Sequence, residues 1–295
     1  MPAGPPTSSP KGGPVRAFDP APGAEVALRE HIDGCWPALA ALGHPHAGEA
    51  DLLTWCDSIA DAVTGADLVQ ENGPERLDVK QAIFAQIGAA AAPDAVLASS
   101  SSGIPASQFQ DAAGDLADRV LIAHPFNPPH LIPLVEIVGG DRTSAEAIDA
   151  AMDLYAEIGK KPVRLNRELP GHVVNRLQSA LWREAYALVD SGAITVADLD
   201  TAIESGPGLR WALEGPFMTQ HLSGGPGGIA HILEHLGPPT AAWWRDLSDI
   251  GDLSDRMVHT IVAGVDTELG AREVREVAAE RDRRLVELLR IKDER

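Results

Sequence analysis

A chain of 295 residues can bury a sizeable core, and its length suits one large domain or two ordinary ones; two is the expectation. A net charge of −19 argues against a nucleic-acid binder, which needs clustered cations, and no apolar run approaches the roughly 20 residues of a bilayer span. The early Lys11 has no apolar stretch behind it, so a secretory signal is not expected, and Cys35 and Cys56 fit two buried thiols in a reducing cytoplasm, without a disulfide framework or metal motif.

The first fourteen residues, MPAGPPTSSPKGGP, are too poor in apolar side chains to form an element and are expected to be disordered. VRAF at 15–18 reads as a strand that ends in Asp19 at a Pro/Gly turn, where the second strand of a dinucleotide-binding unit places its ribose-binding acid. Val26, Leu28, Ile32, Trp36 and Leu39 then recur at helical spacing, with Pro37 expected to kink or divide the helix. Short apolar runs follow at 52–55, 67–72, 95–100, 120–124, 133–138 and 162–165, with helical patterns at 78–92 and 144–159. This alternation predicts an α/β domain over 15–168, an incomplete Rossmann-like parallel sheet covered on both faces. Beyond RELPGH at 167–172 the β-branched runs thin out, so 169–295 reads as an all-helical C-terminal domain. RDRR at 281–284 reads as a solvated helix face within an acid-rich tail, and GGPGG at 224–228 follows a helical segment rather than a strand, unlike a phosphate loop.

Chemistry-bearing residues gather at predicted strand ends: Ser102 in LASSSSGI, His124 and Asn127 in AHPFNPP, Glu136 in LVEIV, and Asn175 in PGHVVNR. Such ends are where parallel sheets place ligands. A histidine there can accept a hydroxyl proton near neutral pH, and a carboxylate behind it can fix the tautomer. Taken singly, each residue is weak evidence, and a lone histidine at a strand end more often fills a satisfied structural role.

In order, spacing and flanking residues these segments resemble the 3-hydroxyacyl-CoA dehydrogenase family, whose pattern is a Ser-rich turn, H-x-F-N-P, L-V-E and P-G-x-x-x-N-R. The resemblance runs from about Val15 to the C-terminus. It implies a Rossmann-like domain followed by a helical domain that often forms a homodimer, with NAD as cofactor. His124 would be the catalytic base and Glu136 its orienting partner, with Ser102 and Asn175 donating to the reacting oxygen. Asp19, Glu75, Lys80, Ser100 and Asn127 would lie along the cofactor. SGPGLRWALEGPF, in turn, is similar to the branch of that family that contains L-gulonate 3-dehydrogenase (lambda-crystallin) and L-carnitine dehydrogenase, which oxidise small hydroxy acids. Arg210 is the candidate grip on a substrate carboxylate, since a guanidinium binds one in a bidentate pair; an interdomain or dimer salt bridge is the other reading. A hydroxy acid or an acyl-CoA derivative stays open as substrate.

The sequence departs from the family on the cofactor side. No G-x-G-x-x-G is present, and its glycines are what let backbone amides approach a pyrophosphate at a helix N-terminus. A misplaced start or frame error before Val15 is the expected explanation, and divergence away from the usual nucleotide mode is the other. As written, the chain is expected to hold NAD weakly. The alternatives to a dehydrogenase are a non-catalytic binding or structural protein on the same scaffold and a non-redox proton-transfer enzyme.

Overall fold

The structure, a computed structural model, describes residues 13–44 and 52–293. The disorder expected for the first fourteen residues therefore falls, except at Gly13 and Pro14, outside the described residues. The chain forms two compact units, Met1–Arg176 with Asp282–Ile291, and Leu177–Arg281 with Lys292–Arg295.

In the first unit, strands β1 (Val15–Ala17), β2 (Leu53–Trp55), β3 (Leu68–Glu71), β4 (Val96–Ser99), β5 (Val120–Pro125), β6 (Leu134–Gly139) and β7 (Lys161–Arg164) alternate with helices. The helices are α1 (Ala24–Ala41), α2 (Ile59–Val63), α3 (Leu77–Ala90) and α4 (Ala145–Glu157). Two sheets result: a parallel pair β1-β2, and a five-stranded sheet in the order β3-β4-β5-β6-β7. Among the described residues no strand bridges β1 and β3, so the Rossmann-like sheet is incomplete, as the sequence predicts. Within the larger sheet only β5-β6 is antiparallel. The link between these two strands, residues 126–133, is too short for a parallel crossover, which takes about a dozen residues or more.

Strand alternation sends successive side chains to opposite faces of this sheet. Leu97, Val120 and Ile122 pack with Phe84, Ile87 and Phe109 on one side, while Val96, Ala98, Leu121 and Ala123 pack with Ile148, Ala151 and Tyr155 on the other. Each fully buried Leu, Ile or Phe contributes about 1.5–3 kcal/mol relative to exposure. Gly88 lets α3 approach the 3-10 stretch Gln110–Arg119 closely, because a Cβ there would meet the Ala113 carbonyl. Of the kink or division expected at Pro37, division does not occur: α1 runs undivided through it, with the adjacent Cys35 and Trp36 buried. Both cysteines are free and buried.

The second unit is helical, with most of α5 (Val174–Asp190), then α6 (Val196–Glu204), α7 (Pro207–Leu213), α8 (Pro216–Ser223), α9 (Gly228–Asp246), α10 (Asp255–Leu269) and much of α11 (Val274–Asp293). Thr195 and Ser254 cap α6 and α10 by accepting from Asp198 and Met257 N–H groups, each cap contributing about 1 kcal/mol. GGPGG forms the 3-10 turn that leads into α9. Arg281, Arg283 and Arg284 lie on an exposed helix face, as expected, while farther along α11 Val286 is buried and Arg290 donates to the Ala41 carbonyl. No helix among the described residues is long and apolar enough to cross a membrane.

Candidate active site

His124 on β5 and Glu136 on β6 are directly opposed in the antiparallel register, which puts both side chains on one face. His124 Nδ1 lies 3.3 Å from Glu136 Oε2. The other carboxylate oxygen accepts from the Val173 and Val174 N–H groups, at 3.0 Å each. Those two amides converge because Gly171 (φ 72) and His172 (φ 50) turn the chain through left-handed backbone just before α5. For a non-glycine residue this conformation costs on the order of 1–3 kcal/mol, so packing must hold it. Full burial on its own raises the Glu136 carboxyl. The hydrogen bond with His124, the two amides and the nearby His172 outweigh it and hold the group below the usual carboxylate range.

Beyond the end of β4 the chain turns through Ser100–Ile104, and Ser102 Oγ meets His124 Nε2 at 2.9 Å. Ser102 is exposed and His124 almost buried, so the hydroxyl end of the Ser102–His124–Glu136 chain opens outward and the carboxylate end is sealed. Glu75 braces this turn. Its Oε1 accepts from Ser101 Oγ (2.6 Å), Gly103 N (2.8 Å) and Ile104 N (2.9 Å), and its Oε2 lies 3.7 Å from Lys80 Nζ. Partial burial raises the Glu75 carboxyl, but these hydrogen bonds and Lys80 bring it below its ordinary value. Lys80 is itself buried, with Nζ 3.0 Å from Glu71 Oε2 and 3.4 Å from Ser99 Oγ; Ser99 Oγ in turn donates to Glu71 at 2.5 Å. Removing one member of such a pair leaves an uncompensated buried charge.

The structure thus brings Ser102, His124 and Glu136 into one hydrogen-bonded chain and joins Glu75 to Lys80 beside it. Asn175 follows the Val174 amide directly, and its half-buried side chain makes no hydrogen bond among the described residues. Asn127, exposed before Pro128, is likewise without a side-chain partner among them. Ser100 Oγ accepts from Gln70 Nε2 and donates to Asn72 Oδ1, both at 2.6 Å. Asp19 stands exposed past the end of β1, one oxygen accepting from Ala21 N at 2.7 Å. Arg210, in the second unit, lines a cavity of about 410 Å³ with Leu213, Glu214, Thr219, Leu222 and Ser223. Sequence reasoning missed Glu71, Ser99, Ser101 and His172. Glu71, an acid at a strand end nine positions before a lysine, carried a usable signal, whereas His172 occupies a variable position of P-G-x-x-x-N-R. Among the described residues no group of His, Cys, Asp and Glu is arranged to hold a metal.

Asp19 offers an exposed carboxylate past a strand end, a group of the kind a ribose takes, and Asn127 an exposed amide three residues after His124. Residues 7–168 match the model of the 3-hydroxyacyl-CoA dehydrogenase NAD-binding domain, and 171–264 match that of the family's C-terminal domain. The chain belongs to the 3-hydroxyacyl-CoA dehydrogenase family. Members of this oxidoreductase family are similar over nearly the full chain. L-carnitine dehydrogenase of Streptomyces coelicolor is 46% identical, covering 94% of this chain and 86% of its own length. A 3-hydroxyacyl-CoA dehydrogenase of Gibberella moniliformis is 43% identical, covering 93% and 86%. Among solved structures, that of 5-formyl-3-hydroxy-2-methylpyridine 4-carboxylic acid 5-dehydrogenase, an NAD+ dependent dismutase, is 32% identical with a TM-score of 0.80, covering 95% of this chain and 91% of its own.

Proposed function

We propose that the chain oxidises the hydroxyl of a small 3-hydroxy acid, with His124 as the base. The observation that carries this reading is the Ser102–His124–Glu136 chain, open at its hydroxyl end. A substrate hydroxyl held by Ser102 and the Asn175 amide gives its proton to His124 Nε2. The imidazolium so formed keeps Nδ1–H on Glu136, whose two backbone donors favour an ionised carboxylate. Bound NAD supplies the hydride acceptor. Asp19, Ser100, Asn127 and Glu75 are the proposed residues along it, with Lys80 acting through the Glu75 carboxylate it faces.

L-carnitine is the first substrate to test, because seven relatives 40–46% identical carry the name L-carnitine dehydrogenase. Arg210 is then the proposed partner of its free carboxylate. A 3-hydroxyacyl-CoA thioester is the second reading, favoured by the fungal relative. We further propose a homodimer formed through the helical unit. Helices α5 to α8 hold no buried residue, and Phe217, Trp243 and Trp244 are exposed. The free buried thiols support a cytoplasmic setting. The test is formation of NADH from L-carnitine and from 3-hydroxybutyryl-CoA at millimolar NAD. Turnover that His124→Ala abolishes while the protein stays folded is the expected result; turnover at a near-normal rate in His124→Ala overturns the assignment.

A further inference from the structure

We infer that His172 is a positioning residue for this reaction: its imidazole anchors the peptide that precedes Ser102, while its backbone aims two amides at Glu136, so one residue sets both ends of the Ser102–His124–Glu136 chain. The inference rests on the dehydrogenase reading for its kinetic consequences only.

His172 is 3% exposed and packs its ring against that of His124, centroid to centroid 5.0 Å, with no hydrogen bond between them. Its Nε2 lies 2.9 Å from the Ser101 carbonyl oxygen. A carbonyl only accepts, so Nε2 carries the hydrogen. The Ser101 carbonyl and the Ser102 N–H share one rigid peptide plane, so anchoring that oxygen orients the Ser102 Cα directly. On the far side of Ser102, Glu75 fixes Gly103 N and Ile104 N, and it also takes the Ser101 hydroxyl. The turn is thereby held on both flanks, and among the described residues Ser102 Oγ is left to His124.

The main chain of the same residue does separate work. With φ at 50, residue 172 turns the chain so that the next two N–H groups both reach Glu136 Oε1. A histidine that served only as core filling would need neither the left-handed backbone nor the bond to Ser101. His172 Nδ1 is buried and has no hydrogen-bond partner among the described residues, so the bond to Ser101 is the ring's one polar tether.

The loss variant is His172→Asn, because Asn tolerates left-handed backbone but is too short to reach the Ser101 carbonyl. His172→Gln carries an amide donor out to the Nε2 position and is the rescue. His172→Asn should lower kcat by about ten- to a hundredfold, as expected for a misplaced catalytic contact, and His172→Gln should recover most of it. In a Ser102→Ala background, His172→Asn should cost less than about threefold more, since residues acting through one another are not additive. Full multiplication of the two losses, or an undiminished kcat in His172→Asn, overturns the inference. A second readout needs no turnover: amide hydrogen exchange at Gly103 and Ile104, whose N–H groups Glu75 holds, should be at least about tenfold faster in His172→Asn and restored in His172→Gln. Unchanged exchange overturns the anchoring. Faster exchange in His172→Asn, together with a wild-type protein that oxidises neither test substrate, would sink the dehydrogenase reading and leave the anchor standing.

Discussion

Replacing Glu136 with Gln tests the dyad at its sealed end. Glu136 is fully buried, and its oxygens take three hydrogen bonds, from Val173, Val174 and His124. A glutamine carbonyl can keep both backbone donors, but its amide then faces His124 Nδ1 and donates to it. That forces the hydrogen of His124 onto Nε2, the atom that must accept the substrate proton, so kcat should fall on the order of a thousandfold, as a wrong tautomer does elsewhere. Stability should suffer far less. Two charge-assisted bonds become neutral, a loss of about 1 kcal/mol each, or roughly 4–8 °C in melting temperature for a unit of this size. The pH dependence follows from the lowered Glu136 carboxyl. The unfolded chain binds a proton at an ordinary glutamate pKa of about 4.3 and the folded one only below that, so the contribution is complete above about pH 4.3 and fades as pH falls through the folded value. Glu136→Gln should therefore flatten the acid flank of the stability curve. Steady-state kinetics and thermal unfolding between pH 3 and 7 read both effects. A kcat within about threefold of wild type would refute the tautomer argument, and an unchanged acid flank would refute the ionised carboxylate.

Arg210→Met should raise the KM for L-carnitine far more than that for a CoA thioester; equal effects in steady-state assays would return Arg210 to a structural role. Gly88→Ala should destabilise by about 1–3 kcal/mol in denaturant titration despite the better helix propensity of alanine, because the Ala113 carbonyl occupies the space of the new methyl. The 295-residue chain should bind NADH weakly in calorimetric titration, and a dissociation constant in the low micromolar range would mean that other backbone amides cradle the pyrophosphate. Sedimentation should find a dimer that Trp243→Glu combined with Trp244→Glu dissociates.

Much of the first unit was legible because alternation and strand-end residues carry local information. The six apolar runs at 52–165 all became strands, and the H-x-F-N-P and L-V-E segments became opposed partners on β5 and β6. The antiparallel turn between them was visible only as a short Pro-rich link. Pro37 does not divide α1, because a helix braced by buried neighbours tolerates one missing donor. Of the polar scaffold behind Ser102, the residues Glu75 and Lys80 were legible, but not the contacts they make. Glu71, Ser99 and Lys80 meet across two strands and a helix, and His172 reaches Ser101 across 71 positions of sequence. Nothing in local spacing encodes contacts of that range.

The separation of β1-β2 from the five-stranded sheet has a consequence for how the protein breathes. Three residue pairs hold this ribbon together, and Val15 at its start is 54% exposed. Among the described residues, what ties it to its surroundings is side-chain and helix packing, including the donation from Arg16 to the Thr64 carbonyl at the end of α2, rather than a continuous ladder. A continuous sheet opens as one cooperative block, whereas a ribbon joined only by packing can come loose while its neighbour stays closed. Asp19, just past the end of β1, rides on the ribbon, and His124 and Glu136 ride on the five-stranded sheet. The acid proposed to read the ribose is thus carried by one block and the groups proposed to move the proton by another, and the two can open separately.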